Sequence, residues 1–153
     1  MNALAEVLVH TLDAQFNDFP YVNGREGMDM KVVLAREDEE LLVVQFRARP
    51  HVRSGLHRHP KSVFGFTTRG AWSHEPDNFK YQPDSFICEP INELHRFING
   101  PDVTEGYFIS HGGSEYVDEA TGEVVSRFGA ADALTNYLQK CEAAKIPRPN
   151  ILR

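Results

Sequence analysis

Histidine is the residue type in this chain whose number and spacing point most directly to chemistry. The sequence has seven histidines, and five of them fall between residues 51 and 95. His57 and His59 are two residues apart, and in a β-strand such residues point to the same face, so both imidazoles would reach one ligand. Imidazole nitrogen is a good ligand for iron, zinc, copper and nickel. The spacing therefore predicts a metal site, with a further ligand from elsewhere in the chain.

A second segment supplies the candidate for that third ligand. His95 follows a turn that begins at Pro90, and Asn99 lies four residues after His95. A chain with seven histidines can contain one i, i+2 pair by chance, so the pair alone indicates little. The distance between the two segments, with Gly70 between them, strengthens the metal hypothesis. Of the other histidines, His51 and His74 are expected at the surface or in support of a ligand, and His10 and His111 have no assigned role.

The composition is that of an ordinary globular chain. Its 153 residues fit one domain with one core, so we predict a single domain over residues 1–153. Sixteen Lys and Arg against 22 Asp and Glu give a net charge of -6, which disfavours nucleic acid as a partner. The sequence has no apolar run of membrane-spanning length and no signal-peptide pattern, so we expect a cytoplasmic protein that does not contact a membrane. Cys88 and Cys141 do not suggest a disulfide framework, and Cys88 is expected to be a small buried side chain.

The histidines lie in a part of the chain that predicts many short strands. Apolar, aromatic and β-branched runs alternate with turn-forming segments at regular spacing, which favours a β-sandwich or barrel. In one run Val44, Phe46 and Ala48 alternate with polar residues, as expected for a strand with one buried face. The predicted strands cover residues 30–34, 41–48, 63–68, 86–88 and 107–110.

Helical periodicity is clear only near the C-terminus. Leu134, Tyr137, Leu138 and Cys141 recur at i, i+3, i+4 and i+7, and Pro147 lies beyond them. The sequence therefore predicts an all-β domain with a metal-binding core over about residues 41–112 and a helix over about residues 130–143. The interior is expected to be filled by aromatic side chains, namely Phe64, Phe66, Trp72, Phe86 and Phe97.

The histidine segments resemble the two motifs of the cupin superfamily. The first motif has H-x-H, an acid and a glycine, and the second has a proline and H-x-x-x-N. The resemblance covers about residues 50–100 and implies a single-domain jelly-roll barrel. The chain departs from the family where the acidic ligand is expected, since Val63 or Phe64 stands there, and His51 replaces the usual opening glycine. The matching residues are His57, His59 and Gly70 for the first motif and Pro90, His95 and Asn99 for the second, so the implied ligands are three histidines.

The loss of the acid resembles a narrower group of three-histidine iron enzymes, the relatives of acetylacetone dioxygenase and 2,4′-dihydroxyacetophenone dioxygenase. Segments 67–72, 89–90 and 116–122 are similar to the hydroxyacetophenone branch. This resemblance implies Fe(2+) as cofactor, with Zn(2+) or Ni(2+) as substitutes in purified protein. It also implies that Glu89 supports a ligand histidine through a hydrogen bond; the alternative is an exposed carboxylate at a strand end. Glu75 or Asp77 would approach the metal or the substrate; the alternative is a solvated turn.

The implied chemistry follows from the charge of such a site. Three neutral imidazoles leave the full +2 charge on iron(II), whereas a carboxylate ligand would cancel part of it. Such a metal can take a bidentate enolate and still leave room for dioxygen. The resemblance thus implies a dioxygenase that cleaves a carbon–carbon bond of a small β-diketone or hydroxyketone to carboxylic acid products. A homodimer or homotetramer is expected, because association covers exposed strand edges.

Two other functions remain open from the sequence. One is a non-catalytic metal-binding cupin, like the zinc-binding sensor domains that partner transcription regulators. The other is a cupin isomerase or epimerase that uses His57 or His95 as a general base. The three functions require iron, zinc and no metal, respectively, so the metal content of the purified protein separates them.

Overall fold

A computed structural model describes residues 22–23, 27–75 and 78–153. Eleven strands are followed by one helix in this part of the chain. The strands are β1 (Val22–Asn23), β2 (Met28–Arg36), β3 (Leu41–Ala48), β4 (His57–Arg58), β5 (Val63–Arg69), β6 (Trp72–Ser73), β7 (Phe86–Glu89), β8 (Ile98–Asn99), β9 (Thr104–His111), β10 (Ser114–Val117) and β11 (Val124–Phe128). The helix is α1 (Ala130–Ala143). The predicted all-β fold with a C-terminal helix is confirmed.

The strands form three antiparallel sheets. The largest has the order β1-β2-β3-β9-β5-β7, the second the order β11-β10-β4, and the third pairs β6 with β8. In the large sheet β9 lies between β3 and β5, although it is far from both in the sequence, as in a jelly roll. Within the described residues the three sheets do not join into one continuous hydrogen-bonded barrel. A single antiparallel bridge between His57 and His95 links β4 to the segment before β8.

The large sheet has one buried face, as the alternation in the sequence predicts. In β3, Leu42, Val44, Phe46 and Ala48 are buried and the residues between them are half-buried. The side chains on this face enclose the interior of the molecule. All five predicted strands are confirmed, and the observed strands extend some of them by one to three residues at an end. The strands that the sequence did not predict are mostly two-residue segments, which carry too little periodicity to be recognised.

Helix α1 covers one end of the large sheet and confirms the prediction for residues 130–143. Its first turn is closed by the backbone N–H of Gly129, which donates to Asp132 Oδ2 at 2.9 Å. Its buried face carries Ala133, Leu134 and Tyr137, which pack with residues of β2 and β3 in one core cluster. Burial raises the pKa of the Tyr137 phenol, since its ionised form would lose solvation. The helix therefore closes the core and takes no part in the histidine site.

Two expectations about the interior, its filling by all five aromatic residues and the burial of Cys88, are wrong because some of these residues lie on the outer face of β5 and β7. Phe86 is 68% exposed and Phe66 is 38% exposed, although both were expected inside the barrel. Cys88 is also exposed rather than buried. In β7 the burial pattern alternates, with Phe86 and Cys88 outward and Ile87 and Glu89 inward. Phe64 stacks on Phe86 on the outer side, with ring centroids 5.9 Å apart, whereas Trp72 and Phe97 are buried as expected.

In the part of the chain described, no helix has the length and apolar character needed to cross a membrane.

Candidate metal centre

Three histidines from two chain segments meet inside the protein. His57 and His95 are partners in an antiparallel bridge, with His57 N donating to His95 O at 3.0 Å and His95 N donating to His57 O at 2.9 Å. The His59 ring centroid lies 5.0 Å from that of His57 and 5.1 Å from that of His95. All three residues are less than 9% exposed. One ring nitrogen from each lies within 4.8 Å of those from the other two, so the structure brings the three sequence-predicted ligands together.

Each ring is oriented by a backbone carbonyl at its Nδ1 atom. Nδ1 lies 2.8 Å from Gly55 O in His57, 3.1 Å from Gly113 O in His59 and 3.0 Å from Glu93 O in His95. A carbonyl oxygen only accepts, so Nδ1 carries the proton in all three rings. Fixing one nitrogen in this way leaves Nε2 available for a metal.

The unpaired nitrogen of His95 indicates what the cluster fits. His95 Nε2 is buried and has no hydrogen-bond partner among the described residues. A buried polar atom without a partner costs free energy, and a metal ion would satisfy it. Three imidazole donors suit divalent iron, zinc or nickel. The residues present therefore fit a divalent transition-metal ion held by His57, His59 and His95.

A buried carboxylate lies beside the histidines. Glu89 is 4% exposed. Its Oε2 atom is 2.8 Å from His59 Nε2 and 3.6 Å from His95 Nε2, and its Oε1 atom is 3.1 Å from His74 Nε2. Burial alone would raise the pKa of Glu89, but the contacts with His59, His74 and His95 outweigh burial and hold this pKa well below its usual value. Glu89 is therefore a carboxylate in the folded protein.

The ring nitrogens open onto an apolar cavity of about 140 Å³. Its walls come from β2, β3, β4, β5, β7, β9, β10 and β11 and from segments between these strands. Among the described lining residues the titratable groups are His57, His59, His95, Glu89 and Tyr116, and none is a lysine or arginine. The apolar part of the wall consists of Met28, Met30, Leu42, Val44, Phe46, Val63, Phe97, Phe108 and Phe128. The cavity therefore suits a small uncharged organic molecule.

Two further motif residues have structural roles. Gly70 has φ +73°, and a Cβ atom there would lie 2.4 Å from Thr104 Oγ1. Asn99 is 1% exposed, and its Nδ2 donates to Arg49 O at 2.7 Å and Asp102 O at 2.9 Å. Both residues hold turns around the site and do not enter it.

Some sequence-predicted residues lie away from the cluster. Glu75 is on the surface and pairs with Arg53, and His51 is exposed. Asp77 and His10 lie outside the described residues. Val63, where the cupin motif has its acid, lines the cavity and is the register partner of Glu89 on the neighbouring strand.

The structure places two further residues beside the cluster: His74, expected from the sequence only at the surface or in support of a ligand, and Tyr116, which the sequence did not single out for the site. His74 contacts Glu89, and the Tyr116 ring lies 5.3 Å from the His57 ring. Tyr116 is the register partner of His57 across β10 and β4. This pairing joins residues 59 positions apart in the sequence, so no local sequence pattern predicts it. The sequence feature that could have identified His74 is its position between residues 51 and 95, where five of the seven histidines fall.

Burial lowers the pKa of His57 to about 4 from its ordinary value of 6.5. The unfolded chain therefore takes up a proton at this residue between about pH 6.5 and pH 4, and the folded metal-free protein does not. We expect the stability of the metal-free protein to fall as the pH decreases through this window and this contribution to be constant above it. Thermal unfolding of metal-free wild type and His57→Gln from pH 7.5 to 4.5 measures the effect. The variant should lose less stability than wild type, and an identical pH slope would contradict the assignment.

Comparison with known proteins places this geometry in a family. Residues 6–115 match the ChrR cupin-like domain family. A comparison with curated proteins gives no match. Among solved structures, an RmlC-like cupin protein from Ralstonia eutropha superposes with a TM-score of 0.81 at 16% identity, over 99% of this chain and 98% of that one.

Two further solved structures share the fold at low identity. An acetylacetone dioxygenase from Acinetobacter johnsonii has a TM-score of 0.67 at 20% identity, over 80% of this chain and 84% of that one. The anti-sigma factor ChrR of Rhodobacter sphaeroides, solved with SigE, has a TM-score of 0.50 at 12% identity, over 62% of this chain and 49% of that one. At these identities the likeness shows the fold alone.

Proposed function

The chain belongs to the ChrR cupin-like domain family, and within that family we propose that it is a non-heme iron(II) dioxygenase that cleaves a carbon–carbon bond of a small β-diketone or hydroxyketone. The observation that carries the proposal is the opening of His57, His59 and His95 onto an apolar cavity. A metal that only stabilises the fold is usually enclosed by its ligands, whereas a catalytic metal faces a chamber for its substrate.

The cavity limits the substrate class. Its volume is about 140 Å³, close to the roughly 150 Å³ of an engineered apolar cavity that binds benzene. A compact diketone is therefore a better match than an aryl hydroxyketone. Because the described lining has no lysine or arginine, a phosphate or carboxylate group would find no cationic side chain there. This supports a ketone over a phosphorylated sugar.

The residues of the chain supply position and exclusion of water. The carbonyls of Gly55, Gly113 and Glu93 hold the three imidazoles in one orientation, so their Nε2 atoms converge before any substrate arrives. The apolar wall, with Phe46, Phe97 and Phe108, orients a ketone with its oxygen atoms toward the histidines and keeps water away. Iron(II), when bound, would polarise those oxygens and activate dioxygen. Both atoms of dioxygen enter the two product fragments, so the ketone itself is the reductant.

Oxygen consumption tests this function. Protein loaded with iron(II) should consume one dioxygen per ketone and release two fragments, at least one of them a carboxylic acid. A compact β-diketone should react faster than an aryl hydroxyketone, because the cavity is close in volume to the smaller molecule. Zinc-loaded protein is the control and should consume none. Absence of uptake across both ketone types, with iron content confirmed, would contradict the proposal.

A zinc-binding sensor is the second candidate, and membership of the ChrR cupin-like family favours it. In that case the purified protein should retain zinc and should consume no dioxygen with any ketone. The metal-free isomerase has less support. A general base works best with a pKa near the working pH, and the pKa of His57 is lowered to about 4 by burial.

A further inference from the structure

Glu89 lies on the metal-facing side of the histidine rings, where a ligand would be. A carboxylate that only orients a ligand histidine accepts from the nitrogen that does not bind the metal. In His59 and His95 that nitrogen is Nδ1, and backbone carbonyls already occupy it. Glu89 Oε2 instead approaches the two Nε2 atoms, at 2.8 and 3.6 Å. Its position therefore differs from that of an orienting partner.

These distances are those between neighbouring ligands of one ion. Metal-to-nitrogen and metal-to-oxygen bonds are about 2.0–2.2 Å long, so adjacent donor atoms around an ion lie about 3 Å apart. With Nδ1 protonated, His59 Nε2 and Glu89 Oε2 both present lone pairs to each other at 2.8 Å. Two electron-pair donors remain this close only with a cation between them, which is a proton in the metal-free protein and would be the metal ion in the loaded protein.

The second oxygen of Glu89 is held by a different residue. His74 Nε2 lies 3.1 Å from Oε1, and the His74 ring packs on Trp72 and Tyr81 with centroids 5.3 and 5.5 Å away. A hydrogen bond to one oxygen of a carboxylate fixes the direction of the other. His74 thus aims Oε2 at the histidine cluster.

The strand register explains why the sequence motif lacks its acid. Val63 on β5 and Glu89 on β7 are register partners in an antiparallel pair. Partners directly across such a pair point to the same face, with Cβ atoms about 4.5–5.5 Å apart. The carboxylate that the cupin motif places on β5 has an equivalent on the neighbouring strand.

We propose that Glu89 is the fourth protein ligand of the metal, through Oε2, and that His74 is its positioning residue. The proposal rests on the metal site of the proposed function but not on the reaction catalysed there. A fourth protein donor would leave fewer open positions on the metal for ketone and dioxygen than the three-histidine set implied by the sequence.

Cobalt(II) and zinc(II) are the probes for the test. The visible absorption of bound cobalt reports its ligands, and competition with a chromophoric chelator gives zinc affinity. Glu89→Gln should alter the cobalt spectrum and weaken zinc binding by at least about 100-fold, above the roughly 10–100-fold that an outer hydrogen-bond partner contributes. Glu75→Gln, an exposed carboxylate replaced in the same way, is the matched control and should change neither.

Transfer of the carboxylate between the two strands is the sharper experiment. The double variant Val63→Glu/Glu89→Ala should bind zinc at least about tenfold more tightly than Glu89→Ala. The new carboxylate would lie directly across the strand pair from position 89 and on the same face of the sheet. For His74, Phe should weaken zinc binding while Gln, which keeps a side-chain N–H donor, should restore most of it. A Glu89→Gln variant that holds cobalt with the wild-type spectrum would overturn the proposal, even where the double variant fails to fold. If iron-loaded wild type consumes no dioxygen with any ketone while Glu89→Gln still alters the cobalt spectrum, only the dioxygenase function would be contradicted. The role of Glu89 as a ligand would stand.

Discussion

Replacement of His57, His59 or His95 by alanine should remove nearly all bound metal. Each variant deletes one of three converging Nε2 donors in a site where every donor is buried and oriented in advance. Because each loss removes one donor from a small buried set, we expect affinity to fall by more than about 100-fold, beyond the effect of losing an outer hydrogen-bond partner. Elemental analysis of protein purified without added metal, followed by titration with zinc(II), measures both the content and the affinity.

Two histidines outside the cluster are the controls. His51 is exposed with φ 59°, so His51→Asn keeps a residue that tolerates this backbone conformation. His111 lies at the end of β9, and its partner across the strand pair is Leu41, which is not part of the histidine cluster. His51→Asn and His111→Ala should bind metal as wild type does. Equal metal content in all five variants would show that the three imidazoles do not form a metal site.

Trp72→Ala should cause the largest loss of stability. The side chain is 1% exposed, stacks on Phe97 with centroids 4.7 Å apart, and donates from Nε1 to Thr67 Oγ1 at 2.8 Å. Truncating a buried tryptophan removes its apolar contacts and leaves a cavity, at a cost of about 3–5 kcal/mol. The hydroxyl of Thr67, itself 0% exposed, would also lose its donor. Chemical denaturation of the metal-free protein measures this change in the free energy of unfolding.

Phe86→Ala is the matched control for that experiment. Phe86 is also an aromatic residue predicted for the interior, yet it is 68% exposed. Its replacement should change the free energy of unfolding by less than about 1 kcal/mol. Because Trp72 also packs against His74, Trp72→Ala should weaken metal binding through Glu89, whereas Phe86→Ala should not. Similar losses of stability in the two variants would contradict the assignment of Trp72 to the core.

The long strands and the helix could be predicted because their patterns are local. Alternation of Val44, Phe46 and Ala48 defines the buried face of β3, and the spacing of Leu134, Tyr137 and Cys141 defines the buried face of α1. The buried face of β7 could not be predicted in the same way, because Phe86 and Ile87 are both apolar and either could point inward. Pairing with β5 decides it, and that pairing joins residues 20 to 26 positions apart.

The histidines of the candidate metal site could be predicted from the sequence, but the hydrogen bonds and strand pairings that position them could not. His57, His59 and His95 could be selected because the H-x-H pair and the later H-x-x-x-N segment together match the two cupin motifs. The acceptors at their Nδ1 atoms are backbone carbonyls, which carry no residue-type signal. The inward direction of Glu89 and its partnership with Val63 depend on strand register, which non-local hydrogen bonds determine.

The backbone origin of those three acceptors has a consequence for how this centre can change over generations. Substitution of a side chain does not delete a main-chain carbonyl, so ring orientation is inherited with the path of the chain. Glu93 is exposed, and sequence drift at this position can proceed freely while the acceptor for His95 persists. Gly113 is constrained instead, since its φ is +71° and a Cβ atom there would lie 2.3 Å from Phe128 O. In a mutational scan, tolerance around the imidazoles should therefore follow backbone shape rather than side-chain polarity.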